Sequence, residues 1–198
     1  MVVEMNEARA EERISALLAQ RIDEGDFPSA VYVVAQRGRV VFADALGDAV
    51  REPARHQATP DTIYDLASLT KPLVTGLLTA MLVERGRVEL DAPVAQYLEE
   101  FEREDKRLIT VRQLLTHTSG LPAWRPLYLT TGGQRAEVLN AIAVEPLSHP
   151  PGMRVLYSDL GFITLGLMLQ RLEALTLPEL AQREIFAPLA LTRTFFNP

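Results

Sequence analysis

The sequence predicts a mixed α/β protein of the α+β type, in which one β-hairpin precedes a mostly helical chain. Residues 30–46, AVYVVAQRGRVVFADAL, contain two β-branched runs around a short turn with Gly38, which is typical of an antiparallel hairpin. From Pro60 to about residue 187 the apolar residues recur at helical spacing, with Gly and Pro between the segments.

The helices can be placed from their apolar faces and their start signals. Residues 6–24 put apolar side chains on one face among charged neighbours, so an amphipathic surface helix is expected before the hairpin. Later helix starts are predicted at Asp91, at Thr110 with Gln113 three residues on, and at Thr176 with Glu179.

Composition bounds the function. The chain has 198 residues, 47% hydrophobic residues and a net charge of -6, which predicts a globular protein with a core. The sequence has no cluster of basic residues that would indicate nucleic-acid binding, and no apolar run reaches the roughly 20 residues that a membrane span needs. A small-molecule partner is therefore expected. The first residues, MVVEMNEARAEER, lack an apolar signal core. A cytoplasmic location is therefore expected, or a periplasmic or secreted one if a leader was removed.

The distribution of positive charge singles out one residue. Lys71 is one of two lysines among 20 Lys and Arg residues, and it follows Ser68 by three positions. On a helix such a pair shares one face, and a serine nucleophile needs a neighbour that takes its proton. Apolar neighbours are expected to lower the pKa of Lys71 toward the working range, whereas Arg stays protonated. The bland alternative is a serine N-cap followed by a solvated lysine.

Three ordered motifs favour the catalytic interpretation. They are SLTK at 68–71, LLTHTSGLP at 114–122 and PPGMRVLYSDLGFITLG at 150–166. Together they resemble the class C β-lactamases and penicillin-binding-protein-like serine hydrolases, which include family VIII esterases and D-aminopeptidase-like enzymes. The resemblance implies a β-lactamase/transpeptidase-like fold, an antiparallel sheet flanked by helices plus an all-helical domain.

The resemblance also implies roles for individual residues. Ser68 would be the acylated nucleophile, Lys71 its activator, and Tyr157 an acid-base group. A phenol with a pKa near ~10 is a poor base unless a cation such as Lys71 stabilises its phenolate. Without the motifs, Tyr157 would be read as a half-buried aromatic residue after a Pro-Gly turn.

Asp159 and Trp124 are the candidate substrate-binding residues. Asp159 departs from the family motif Y-x-N, and because an ionised Asp only accepts hydrogen bonds, an ester or peptide-type amide is favoured over a β-lactam. Asp159 would also tend to keep Lys71 protonated. The alternative is that Asp159 caps a helix starting near Leu160. Trp124 is a substrate-contact candidate by resemblance alone.

The three histidines and the absence of Cys bear on other chemistries. By resemblance His117 is structural, while a Ser-His interpretation stays open. His56 and His149 lack metal-ligand spacing, and a chain without Cys has no thiolate ligands or disulfides. We therefore expect no metal site and no cofactor.

The family's later motif, K-T-G or H-x-G, has no match within residues 1–198. We therefore expect this chain to be the N-terminal portion of the fold. Its parts would be the helix and hairpin of the α/β domain at 1–60, the helical domain at 61–187, and at 188–198 the return to missing C-terminal strands. The open sheet edge could then pair with a separate C-terminal chain or with a second copy.

The predicted function is that of a serine hydrolase that forms an acyl-enzyme with an ester or amide. Two alternatives stay open. One is a catalytically weak penicillin-binding or sensory domain, and the other is an inactive N-terminal fragment that needs a C-terminal half.

Overall fold

The computed structural model describes residues 2–132 and 134–196. The chain divides into two compact units, Met1–Asp65 and Leu66–Pro198. The domain bounds predicted from the sequence, 1–60, 61–187 and 188–198, stay a prediction; residues 197 and 198 lie outside the described residues.

The first unit contains the predicted hairpin. Helix α1 spans Val2–Asp23, and strands β1 (Ser29–Gln36) and β2 (Arg39–Val50) pair antiparallel. Both turn residues, Arg37 and Gly38, have positive φ (52° and 76°), the geometry that suits the twist of a tight hairpin. The hairpin prediction is therefore confirmed.

A polar contact ties α1 to the sheet. The Ser15 hydroxyl lies 2.6 Å from the Tyr32 hydroxyl and donates a 2.7 Å hydrogen bond to Asp44. The sheet also has a third strand, β3 (His56–Gln57), which pairs with β2. This third strand is only two residues long, and the sequence pattern did not predict it.

The second unit is helical. Its α-helices are α2 (Leu77–Glu84), α3 (Val111–Leu115), α4 (Leu127–Thr130), α5 (Arg135–Val144), α6 (Asp159–Glu173) and α7 (Leu177–Ala181). The predicted capping boxes of α3 and α7 are confirmed. The Thr110 and Thr176 hydroxyls accept hydrogen bonds from the backbone N–H groups of Gln113 and Glu179. The Gln113 and Glu179 side chains in turn accept hydrogen bonds from the backbone N–H groups of the two threonines.

The predicted helix start at Asp91 is wrong. Only a 3-10 turn, Val94–Gln96, forms there. The Asp91 carboxylate instead receives two hydrogen bonds from the Arg112 guanidinium, at 2.6 and 2.8 Å. The Asp91 side chain, which was expected to cap a helix, thus forms a bidentate ion pair with Arg112 instead.

Helix α6 is the core helix of this unit. Leu160, Leu165, Met168 and Leu169 are all fully buried. Its N-cap is Ser158, whose hydroxyl accepts the Gly161 N–H at 3.1 Å and donates to the Pro122 carbonyl at 2.7 Å. The alternative in which Asp159 caps the helix is therefore wrong, because Asp159 is already its first residue.

A membrane span places requirements on the length and apolar character of a helix. Among residues 2–132 and 134–196, no single helix is long and apolar enough to cross a membrane. Residues Asp159–Glu173 and Leu177–Phe186 meet that criterion only as a pair, bent by 74°.

The segment after α3 is joined to the segment before α6 by backbone hydrogen bonds. The Ser148 N–H donates to the Gly120 carbonyl at 2.8 Å, and the Gly152 N–H to the Thr118 carbonyl at 2.7 Å. Gly120 has φ +82°, and a Cβ there would lie 2.1 Å from the His149 carbonyl oxygen. Only glycine fits this close approach.

Gly120→Ala should therefore destabilise the protein far more than Gly86→Ala. Gly86 also has positive φ (+67°), but a Cβ there meets nothing within 4 Å. The free energy of unfolding of the Gly86 variant should fall by about 1 kcal/mol, the cost of alanine in the left-handed conformation. The Gly120 variant carries the same cost, and its steric clash should lower the free energy of unfolding by a further ~2 kcal/mol. Urea unfolding of the two variants measures the difference, and equal losses would contradict the close approach.

Candidate active site

The turn that carries Ser68 and Lys71 is not a regular α-helix. Ala67–Leu69 form a 3-10 turn and Lys71–Gly76 a π-helical turn, which continues into α2. Pro72 lies in the first positions of the π turn, where a missing N–H breaks no helical bond. The Lys71 ammonium donates a 3.1 Å hydrogen bond to Ser68 Oγ. The predicted proximity of the two side chains is thus present.

The same segment carries an apolar stripe. Leu69, Leu73 and Leu77 are spaced four residues apart, and each is at least 40% exposed. We call these three residues the leucine stripe. One helical segment thus holds the candidate nucleophile together with three uncovered leucines.

Lys71 also contacts residues from a distant part of the chain. Its Nζ lies 2.7 Å from Asp159 Oδ1 and 4.9 Å from the centroid of the Tyr157 ring. The Lys71 side chain is 15% exposed and the Asp159 side chain 35%, so this ion pair is partly shielded from solvent. The structure therefore brings together all three predicted catalytic side chains and adds Asp159 as the partner of the lysine.

These contacts shift the pKa values of Lys71 and Tyr157 in opposite directions. Burial by itself would lower the pKa of Lys71, but the hydrogen bonds and charges of Asp159 and Tyr157 outweigh it and raise the pKa above its ordinary value. The expected lowering of the Lys71 pKa is therefore wrong. The other expectation, that Asp159 favours the protonated form of Lys71, agrees with the direction of the shift. Hydrogen bonds from Lys71 and Ser68 lower the pKa of Tyr157.

His117, for which the resemblance implies a structural role and for which a Ser-His interpretation stays open, lies in the same cluster. Its ring centroid is 4.5 Å from that of Tyr157 and 5.0 Å from that of Phe162. Its Nδ1 accepts a 3.0 Å hydrogen bond from the backbone N–H of Ser158, 41 residues away. A contact across so many residues leaves no local spacing signal in the sequence.

An open cavity of about 730 Å³ lies beside Ser68. Most of its wall is apolar, and its polar groups belong to the cluster just described. The lining residues are Leu66, Ser68, Leu69, Lys71, Pro72, Gly76, Leu115, His117, Tyr157 and Phe162.

Trp124 does not line this cavity and is 53% exposed. Its substrate-contact role stays a prediction. Within the part of the chain that the structure describes, no three His, Asp or Glu side chains converge as metal ligands.

Solved structures identify the architecture. A hydrolase with promiscuous acyltransferase activity, EstCE1, is 27% identical and superposes with a TM-score of 0.81, over 96% of this chain and 53% of that one. A class C β-lactamase in complex with cefoxitin, 19% identical, superposes with a TM-score of 0.82 over 97% of this chain and 52% of its own. The chain therefore has part of a β-lactamase/transpeptidase-like fold, as predicted.

Residues 14–198 match the family described as Beta-lactamase, and the chain belongs to that family of serine hydrolases. Among curated relatives, esterase EstB of Burkholderia gladioli is 36% identical over 177 residues, which are 80% of this chain and 44% of EstB. The N-acetylmuramyl-L-alanine amidase of Bacillus subtilis (strain 168) is 29% identical over 206 residues, 94% and 46% of the two chains. The chain thus spans about half the length of these relatives, and the predicted family is confirmed.

Replacing Asp159 by Asn should lower the pKa of Lys71, because Asp159 contributes both a hydrogen bond and a negative charge that favour the ammonium. The chain has only two lysines, so a titration of ¹³Cε-labelled lysine followed by NMR resolves each one. The signal that Lys71→Arg removes belongs to Lys71.

Asp91→Asn is the matched control for this experiment. Asp91 also forms an ion pair, but with Arg112, so its substitution should leave the Lys71 titration in place. A Lys71 pKa unchanged in the Asp159 variant would contradict the role assigned to this carboxylate.

Proposed function

We propose that this chain carries the nucleophile and proton-transfer groups of an ester hydrolase that works through an acyl-enzyme at Ser68. The observation that carries the proposal is the 3.1 Å hydrogen bond between Lys71 Nζ and Ser68 Oγ, beside the Tyr157 ring. The lowered pKa of Tyr157 favours its phenolate, which can accept the Ser68 proton, and the Lys71 ammonium can stabilise the serine alkoxide.

In the proposed first step the Tyr157 phenolate removes the Ser68 proton as Oγ attacks the ester carbonyl carbon. A C–O bond forms, and the carbonyl π electrons move to oxygen. When the tetrahedral intermediate collapses, the bond to the leaving alcohol breaks and Tyr157 returns its proton to that oxygen. Lys71 remains an ammonium throughout, and its charge stabilises the phenolate and the serine alkoxide in turn.

The second step repeats the chemistry with water. Tyr157 takes a proton from water, the hydroxide oxygen attacks the acyl carbon, and the bond to Ser68 Oγ breaks. The proton then passes from Tyr157 to Oγ, which restores the free serine. Each proton removed is returned, so the cycle needs no metal or redox group among its reactants.

The cavity and its charges favour an uncharged, apolar acyl group. Half of the ten lining residues are Leu, Pro or Phe, which suits apolar substrate surface. The Lys71 ammonium, the cation beside Ser68, is already paired with Asp159, so little net positive charge is left to hold a substrate carboxylate. The name of esterase EstB supports an ester substrate for the whole protein, and the acyltransferase activity named for EstCE1 is consistent with an acyl-enzyme.

Hydrolysis of p-nitrophenyl butyrate compared with nitrocefin tests the proposal. We expect ester turnover to exceed β-lactam turnover, and Ser68→Ala to abolish both ester turnover and labelling by a fluorescent fluorophosphonate. Retention of full activity by Ser68→Ala would overturn the proposed mechanism. A stable penicillin adduct without ester turnover would instead favour a penicillin-binding function.

Tyr157→Phe should lower kcat by about 10²–10⁴-fold, because it removes the group that carries the proton in both steps. The phenyl ring keeps the contact surface toward His117, so the KM for p-nitrophenyl butyrate should change little. Steady-state kinetics measure both constants. Tyr128→Phe is the matched control, since the exposed Tyr128 is not part of the cavity wall, and it should behave like the parent chain.

A further inference from the structure

We propose that His117 is a positioning residue that aligns the Tyr157 phenol with Ser68, and that it can do so only as the neutral imidazole. This inference rests on the proposed function and adds a regulating residue to it. Protonation of His117 should then switch the site off in acid.

The backbone on both sides of Tyr157 is bonded to His117. The Leu156 N–H donates to the His117 carbonyl at 2.8 Å, and the Ser158 N–H donates to His117 Nδ1 at 3.0 Å. His117 thus accepts hydrogen bonds from both backbone N–H groups that flank Tyr157. These two bonds fix the position and the direction of the Tyr157 Cα–Cβ bond.

The His117 ring also restrains the Tyr157 ring. The two planes are tilted by 32° at a centroid distance of 4.5 Å, and Phe162 contacts the same imidazole at 5.0 Å. His117 itself is held at φ 57°, a left-handed conformation that few residues tolerate. The packing therefore holds the imidazole in one orientation, between the aromatic rings of Tyr157 and Phe162.

The hydrogen bond to Ser158 fixes the tautomer. A backbone N–H can only donate, so His117 Nδ1 must carry a lone pair, and the single ring proton lies on Nε2. In the imidazolium both nitrogens carry protons. Protonation would therefore place two donors against each other at Ser158 and break one of the two bonds that hold Tyr157.

Burial and two charged neighbours set the pH range in which this protonation occurs. Burial of the imidazole, followed by the positive charge of Lys71, lowers the pKa of His117, while the negative charge of Asp159 opposes the shift. Tyr157 is the other titratable group in contact with the ring. The neutral form is thus maintained at neutral pH, and its loss is confined to acidic solution.

The pH dependence of kcat/KM for p-nitrophenyl butyrate tests the inference. In the parent chain, protonation of the Tyr157–Lys71 pair by itself should lower kcat/KM about tenfold per pH unit. Below the pKa of His117 a second proton should steepen this to about a hundredfold per unit. His117→Asn should keep the shallower slope throughout, because Asn supplies an acceptor oxygen, tolerates positive φ and does not titrate.

Two further variants separate positioning from general structure. His117→Phe keeps an aromatic ring but loses the acceptor, and we expect kcat to fall at least about tenfold at pH 8 with little change in KM. His56→Asn, in the two-residue strand of the first unit, should keep both the parent rate and the steep acid limb. A steep limb that persists in His117→Asn would overturn the inference.

A second measurement does not depend on turnover. Long-range ¹H–¹⁵N NMR spectra distinguish the tautomers of the three histidines, and the signal absent from His117→Asn belongs to His117. We expect only Nε2 to be protonated at pH 7.5, and the Tyr157 ring signals to shift in acid in the parent chain only. A protonated Nδ1 at that pH would overturn the inference, whereas absence of ester hydrolysis would count against the proposed function alone.

Discussion

The Lys71 ammonium is the group on which the rest of the site depends. Its protons point toward Ser68 and Asp159 oxygens at 3.1 and 2.7 Å, and the Tyr157 ring lies beside them. A tetrahedral ammonium has three donors that can serve three separate partners, whereas the planar fork of Arg suits one bidentate partner. This geometry gives a reason for a lysine in a chain otherwise rich in arginine, even though its pKa is raised.

The partners of Lys71 come from segments far apart in sequence, so their meeting depends on how those segments are joined. The strip from His117 to Pro122 positions one of them, the segment that carries Tyr157 and Asp159. It is bonded to the chain around Gly152 and to Ser158 at the start of α6. The close approach at Gly120 sets the spacing of these two segments. Features that look purely structural therefore determine where the phenol of Tyr157 lies.

Sequence reasoning could predict the parts that have local signals. The hairpin follows from alternating β-branched runs, the capping boxes from residues three apart, and the Ser68–Lys71 pair from helical spacing. Tyr157 and Asp159 could be found only through motif resemblance, because their distance from Lys71 in sequence is large. The raised pKa of Lys71 could not be read from its apolar neighbours, since the balance depends on a carboxylate 88 positions later. The place of His117 was missed for the same reason, and Asp91 was misread because its partner Arg112 lies on another element.

The leucine stripe couples packing to chemistry. Three uncovered leucines on the segment that holds the Ser68 hydroxyl expose apolar surface to water, and surface of that kind is stabilised when another apolar face covers it. Because the stripe and the hydroxyl lie on one continuous segment, residues 68–77, an apolar surface that covers the leucines would also contact the backbone that carries the nucleophile. Burial of the leucines and restraint of the reactive hydroxyl would then be a single event, driven by the same release of water.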